Sequence, residues 1–154
     1  MPSNIYESEP DSEIKISNLI CFAIYSASTA MNRTYQPYLS KLGLTYPQYI
    51  TLSALWQKDR VTVGSLCRSL QMETNTLTPI LQRLEGRALV TRVRGEKDER
   101  QVIVELTPEG KSIKKNQIDI VNCITADTEL DRHTLEELVA GIIELRDNLN
   151  EKSA

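Results

Sequence analysis

Apolar positions recur at helical spacing along most of the chain and switch to strand spacing in one region. Ile16, Leu19, Ile20, Ala23, Ala27, Ala30 and Met31 fall three and four residues apart, the period that lines one helix face. They predict a helix from about Glu13 to Leu42, bent or weakened near Pro37 and ended by Gly43. The stretch TYPQYITLSALWQ predicts a second helix, with Thr45 and Gln48 at capping-box spacing and Pro47 in the tolerant first turn. Ile50, Leu52, Ala54 and Leu55 form its apolar body. A short extended piece at RVTV leads to a third helix, about Val63 to Leu70, capped by Thr62. A fourth runs from about Thr74 to Glu85 with Leu77, Ile80, Leu81 and Leu84 inward; Pro79 removes one backbone bond near its start.

The period then changes. Leu89–Arg94 and Gln101–Leu106 are β-rich and flank the polar loop Gly95–Arg100, a hairpin with a charged tip. Thr107 as N-cap and Pro108 at the first helical position restart a helix expected to reach about Thr125. Asp131 caps a last helix, about Arg132 to Asn150, whose Leu135, Leu138, Ile142, Leu145 and Leu149 make a narrow stripe suited to helix-on-helix packing. The order predicts a mainly α chain with a small β-hairpin wing. It is the arrangement of a winged helix-turn-helix, in which the second helix of the pair enters the major groove of DNA. Residues 1–12, rich in Pro, Ser and Glu, are expected to be disordered. Residues 13–154 are expected to form one domain, with 45–106 as the DNA-binding lobe and 13–42 plus 107–150 as dimerisation helices.

Composition narrows the chemistry. The chain has 154 residues and a net charge of −3, yet Lys58–Gln101 holds nine Lys/Arg against six Asp/Glu, a local +3. A basic middle in an acidic chain points to a local polyanion site. Three widely spaced cysteines, Cys21, Cys67 and Cys123, and one histidine, His133, exclude a disulfide scaffold and a His-based metal centre. No cofactor is expected. The polar, acidic N-terminus lacks the pattern of a signal peptide, and no apolar run is long enough to span a bilayer, so no membrane partner and a cytoplasmic location are the expectations.

Cys21 lies in the run LICFAIYSAS, where periodicity alone reads it as a small apolar core side chain. Tyr25, four residues on, shares its face. Tyr35, fourteen residues on, returns to within about 40° of that face but lies some 21 Å along the axis. A hydroxyl cannot cover that distance, so any help that Tyr35 gives Cys21 must come from another chain or across a broken helix. Five of the six tyrosines, with Phe22 and Trp56, fall between residues 22 and 56.

GLTYPQYITLSALW, VGSLCRSL, TNTLTPILQRLE and DERQVIVELTPEG together resemble the MarR family of dimeric winged-helix repressors. LICFAIYSAS, the tyrosine at Tyr35 and GLTYPQY resemble one branch, the OhrR-type sensors of organic hydroperoxides. The resemblance implies a homodimer on a double-stranded DNA operator, released when an organic hydroperoxide oxidises Cys21. It also implies that the hydroxyls of Tyr35 and Tyr46 from one subunit bond the reactive thiol of the other. Two phenolic donors favour the thiolate, the nucleophilic form. Cys123 is the candidate resolving thiol; the alternative is a mixed disulfide with a low-molecular-weight thiol. Cys67, in SLCRSL, is expected to be structural.

For DNA, Thr74, Asn75 and Thr76 at the head of the fourth helix are expected to meet phosphates or base edges, and Gln82 and Arg83 to reach further along. Arg92, Arg94 and Lys97 are candidate contacts around the wing. In the family, the Asp of the D-x-R element, here Asp98, orients the wing, and its Arg, here Arg100, enters the minor groove. Ala88 stands where many relatives have a glycine before the first wing strand. Three other readings compete: a regulator released by a phenolic or aromatic ligand with Cys21 inert, a thiol peroxidase, and a dimer module that does not bind DNA. The peroxidase lacks support from any βαβ pattern or C-x-x-C motif.

Overall fold

The computed structural model describes residues 15–95, 98 and 100–153. The expected disordered tail over 1–12 and Lys97 at the wing tip lie outside the described residues. Two compact units divide the chain, Met1–Thr34 and Tyr35–Ala154. A 3-10 turn at Ile16–Asn18 precedes helix α1, Ile20–Lys41, which holds Pro37 inside it. Leu39 is the only buried residue of α1. Ile20, Phe22, Ile24, Tyr25 and Met31 are exposed, and so is Cys21. This corrects the periodicity-based reading of Cys21 as a core side chain. A helical period marks an apolar face, but it does not say whether the covering surface belongs to the same chain.

The second unit continues with α2 (Tyr46–Gln57), β1 (Val61–Thr62), α3 (Val63–Leu70) and α4 (Thr74–Gly86). Then come β2 (Val90–Arg94), β3 (Val102–Leu106), α5 (Pro108–Ser112), α6 (Gln117–Asp127) and α7 (Arg132–Ser153). The local signals act as expected. Thr45 and Gln48 form a reciprocal capping box on α2, Thr62 accepts from the Ser65 N–H on α3, Thr107 from Gly110 on α5, and Asp131 from Thr134 on α7. The sheet has three strands in the order β1-β3-β2, all antiparallel, with Val61 opposite Val104 and Val90 opposite Leu106. Leu52 and Leu55 of α2, Leu66 of α3, and Leu77, Leu81 and Leu84 of α4 pack with Val90 and Val104 in one core. That core fixes the fourth helix and the wing to the same base.

One expectation needs correction. The helix starting at Thr107 does not run smoothly to Thr125: residues Ile113–Asn116 tighten into a 3-10 turn between α5 and α6. The Asn116 side chain donates to the Ile113 carbonyl there, and the flanking backbone stays in the right-handed helical region, so this is a change of pitch. On the α7 stripe, Leu138, Ile142 and Leu149 are exposed, and Leu135 and Leu145 are partly buried.

The wing base explains the LTPEG element. Thr107 Oγ1 donates to the Ala88 carbonyl at 2.6 Å, and the Thr107 N–H donates to the Leu89 carbonyl at 3.1 Å. Pro108 needs no partner at the first helical position. The Gly110 carbonyl accepts the indole N–H of buried Trp56 at 2.9 Å. Asp59 closes the other side: its carboxylate accepts the Leu106 and Arg60 backbone N–H groups at 2.8 and 2.9 Å and pairs with Lys111 at 3.2 Å. Burial pushes that carboxyl up, but these donors more than offset it and hold it below the usual carboxylate range.

Ala88 holds φ +55°, left-handed backbone that a side chain disfavours. Ala88→Gly is therefore expected to raise stability by about 0.5–1 kcal/mol, less any entropy that glycine returns to the unfolded chain. Chemical denaturation at constant m-value is the check, and a destabilised variant would show that the strain is relieved elsewhere.

Candidate functional site

Tyr35, near the end of α1, and Tyr46, at the start of α2, bring their rings to a centroid separation of 5.0 Å with a tilt of 58°. Tyr49, one turn further along α2, sits 5.8 Å from Tyr35 and in turn meets Trp56 edge-on at 6.2 Å. The two predicted tyrosines are thus together, and Tyr49 joins them. Burial raises the Tyr35 phenol to about 12, with Tyr46 and Tyr49 adding to the effect. Burial also raises the Tyr46 and Tyr49 phenols. All three hydroxyls therefore stay protonated at neutral pH and can donate to an anion.

The cysteines separate by environment. Cys21 and Cys123 are exposed and Cys67 is buried. Cys67 belongs to the core and its sulfur lies 3.7 Å from Thr74 Oγ1, which agrees with a structural role. Cys123 stands on α6, four residues before Asp127.

On α4, Thr74, Asn75, Thr76, Gln82 and Arg83 are exposed. Glu73 precedes the helix without a side-chain cap bond, so its leading N–H groups are not occupied by a capping side chain. Thr74, Arg92 and Arg100 line one open cleft together with Thr78 and Arg68. Arg94 and Asp98 line a separate hollow with Arg60 and Glu105. Asp98 accepts both the backbone N–H and the Nε of Arg100 at 3.1 Å, which fixes the direction of an otherwise exposed guanidinium. Arg92 is half-buried and engaged: its Nε and Nη2 donate to Glu85 at 3.0 and 2.6 Å, and its backbone N–H donates to the other carboxylate oxygen at 3.1 Å. The side-chain hydrogen bonds from Arg92 hold the Glu85 carboxyl below its usual range, against a smaller opposing effect of burial.

Sequence reasoning missed Arg68, Tyr49 and the partners of Arg92. Arg68 is on the first helix of the pair, where a cation can face the phosphate backbone. Tyr49 is three residues after Tyr46, a spacing that shares a helix face. The Glu85–Arg92 pair crosses from helix to strand and leaves no local signal. Among the described residues, no cluster of His, Cys, Asp and Glu could hold a metal ion, and no helix is long and apolar enough to cross a membrane.

Comparison with known proteins agrees with this geometry. Residues 33–117 match the transcriptional regulator SarA/Rot family. The organic hydroperoxide resistance transcriptional regulator of Bacillus subtilis is 36% identical over 91% of this chain and 95% of its own. Reduced AbfR bound to DNA superposes with a TM-score of 0.74 at 33% identity, covering 90% of this chain and 95% of the other. Disulfide-formed AbfR gives 0.59 at 34% identity over 88% and 90%; AbfR is a protein of Staphylococcus epidermidis. With its two-helix reading unit, its wing and these likenesses, the chain belongs to the SarA/Rot family of MarR-type winged-helix, DNA-binding transcriptional regulators.

Proposed function

We propose that the protein is a homodimeric repressor that binds a pseudo-palindromic operator when reduced and leaves it when an organic hydroperoxide oxidises Cys21. The observation that carries this reading is the Tyr35–Tyr46 pair: two half-buried phenols 5.0 Å apart that remain hydrogen-bond donors at neutral pH. Helical spacing puts Cys21 out of reach of Tyr35 along an unbroken α1, so in this reading the thiol comes from the other chain, and a two-fold dimer supplies it twice. The exposed apolar residues of α6 and α7, among them Ile118, Leu138 and Ile142, supply surface for that association. The likeness to the Bacillus subtilis hydroperoxide regulator and to AbfR in its DNA-bound and disulfide forms supports the same reading.

The chemistry balances without a cofactor. The Cys21 thiolate attacks one peroxide oxygen of ROOH, the S–O bond forms and the O–O bond breaks. The alkoxide takes a proton and leaves as ROH, and sulfur is oxidised by two electrons to the sulfenic acid. The Cys123 thiolate then attacks that sulfur, the S–O bond breaks, and hydroxide takes a proton to leave as water; a small thiol is the alternative attacker. Thr74, Asn75, Thr76, Gln82 and Arg83 meet the major groove, Arg100 the minor groove, and Arg92 and Arg94 the phosphates, with Asp98 orienting Arg100.

The test is the mass of each cysteine-containing peptide before and after one equivalent of cumene hydroperoxide, with a gel shift on the same samples. Cys21 should gain an oxygen or a disulfide partner as the shift disappears. An unmodified Cys21 in released protein would favour the aromatic-ligand reading, with the tyrosine cluster as its pocket.

Arg92 offers an independent check on the DNA surface. Glu85→Gln removes the charge that holds it, so the variant should bind DNA more tightly at low salt. Its plot of log affinity against log salt should steepen by about 0.9 for each Arg92 that engages a phosphate. An unchanged slope would assign Arg92 to the wing base alone.

A further inference from the structure

Helix α2 carries aromatic rings near both of its ends. Tyr49 and Trp56 are seven residues apart, so they return to within about 20° of the same face. Both are buried in the core. Tyr35, on α1, lies 5.8 Å from Tyr49, and Tyr49 meets Trp56 edge-on at 6.2 Å. The series ends on a hydrogen bond: the indole has one N–H, and it donates to the Gly110 carbonyl at 2.9 Å. Gly110 lies so close to the Leu89 carbonyl that no side chain fits between them. Asp59, three residues past Trp56, accepts the Leu106 N–H at 2.8 Å, and Lys114 Nζ donates to the Trp56 carbonyl at 3.3 Å. The end of α2 is thus fastened to the base of the wing, and one series of rings connects that end to Tyr35.

We infer that Tyr49 and Trp56 are positioning residues that make the setting of the wing depend on the place of the Tyr35 ring. The inference deepens the proposed function and rests on its reading of Tyr35 as a donor to the sensing thiol. Rings in a close-packed core move only when a neighbour makes room. With Tyr35 in place, Tyr49 is held against Trp56, and the indole N–H is aimed at Gly110. When Tyr35 leaves its seat, Tyr49 gains room, the indole tilts, and the Gly110 carbonyl loses its donor. The start of α5 then loosens from the Leu89 carbonyl, and the strands of the wing lose an anchor at their base. The indole bond is either made or lost, so the wing base has two arrangements between which Tyr35 selects.

The test uses the reduced, full-length protein without DNA or oxidant. Amide hydrogen exchange is followed by mass in peptides from the wing base, Leu89 to Lys111, and from α3 as a reference. Tyr35→Ala should speed exchange at the wing base about tenfold, the size of one lost hydrogen bond, and leave α3 within about twofold. The emission of Trp56, the one tryptophan, should move to longer wavelength in the same variant. In a Trp56→Phe background, which keeps a ring but has no N–H, Tyr35→Ala should change wing-base exchange by less than about twofold. An equal effect in both backgrounds, no effect in either, or a rise in α3 as large as that at the wing base would overturn the inference. If Trp56→Phe by itself unprotects α3, Tyr49→Leu replaces it as the background, with the same expected and overturning results. A last arm oxidises the unsubstituted protein with one equivalent of cumene hydroperoxide, and wing-base exchange should rise as it does in Tyr35→Ala. If oxidation leaves the wing base unchanged while the Tyr35→Ala cycle holds, the sensing reading fails and the link from Tyr35 to the wing stands.

Discussion

A Cys21→Ser dimer will stay on its operator after treatment with an organic hydroperoxide that releases the unsubstituted protein. Serine keeps the size of the side chain but has no thiolate to attack a peroxide at neutral pH. Release of the unsubstituted protein should appear as a loss of affinity on the order of 5- to 150-fold, the usual range of coupling between two sites. The variant should change by less than about twofold under the same dose. Tyr35→Phe and Tyr46→Phe should give intermediate results, since each removes one donor and leaves the sulfur in place. If the serine variant is released as readily as its parent, Cys21 is not the sensor, and the donors around Tyr35 serve something else.

Among the six glycines, Gly110 is the one whose change to alanine should cost the most stability. A Cβ at that position would lie 2.0 Å from the Leu89 carbonyl oxygen and 3.0 Å from its carbon. Both are backbone atoms, and the Leu89 carbonyl is already committed to the Thr107 N–H. Relief therefore requires the start of α5 to move away from the base of the wing, which would break that bond and disturb the indole bond from Trp56 to the Gly110 carbonyl. A loss of about 3 kcal/mol or more is expected, at the upper end of the usual cost of overpacking, because the conflict is with backbone. Trp56 is the chain's one tryptophan, so its fluorescence reads this joint directly during urea unfolding. A loss under about 1 kcal/mol would mean that the joint has slack that the packing does not show.

The elements most legible in the sequence were those whose cause is local. Thr45 with Gln48, Thr62, Thr107 with Pro108, and Asp131 each sit within three residues of the group they satisfy, and each helix begins where its cap stands. The hairpin was legible because its two strands flank one polar loop. What was not legible has distant causes. The extended piece at RVTV was read, but its pairing with Val104 in the sheet was not. Tyr38 meets Asp127 across 89 residues. Of the candidate site, Tyr35 and Tyr46 were found through family likeness, while Tyr49 entered through packing. The exposure of Cys21 ran against periodicity, because an apolar stripe reports that it will be covered and does not report by what. The Glu85–Arg92 clamp was invisible for the same reason as that pairing: it joins elements whose neighbourhood exists only after folding.

Arg87 has a mechanical consequence. Just past the end of α4, its guanidinium donates to the carbonyls of Leu42 and Gly43, where α1 ends. One planar, rigid fork thus grips two successive carbonyls with both of its terminal nitrogens. A hinge of that kind has little play in bending or in twist. The end of α1 and the end of α4 are thereby tied at two points, so a displacement of one is expected to carry the other with it.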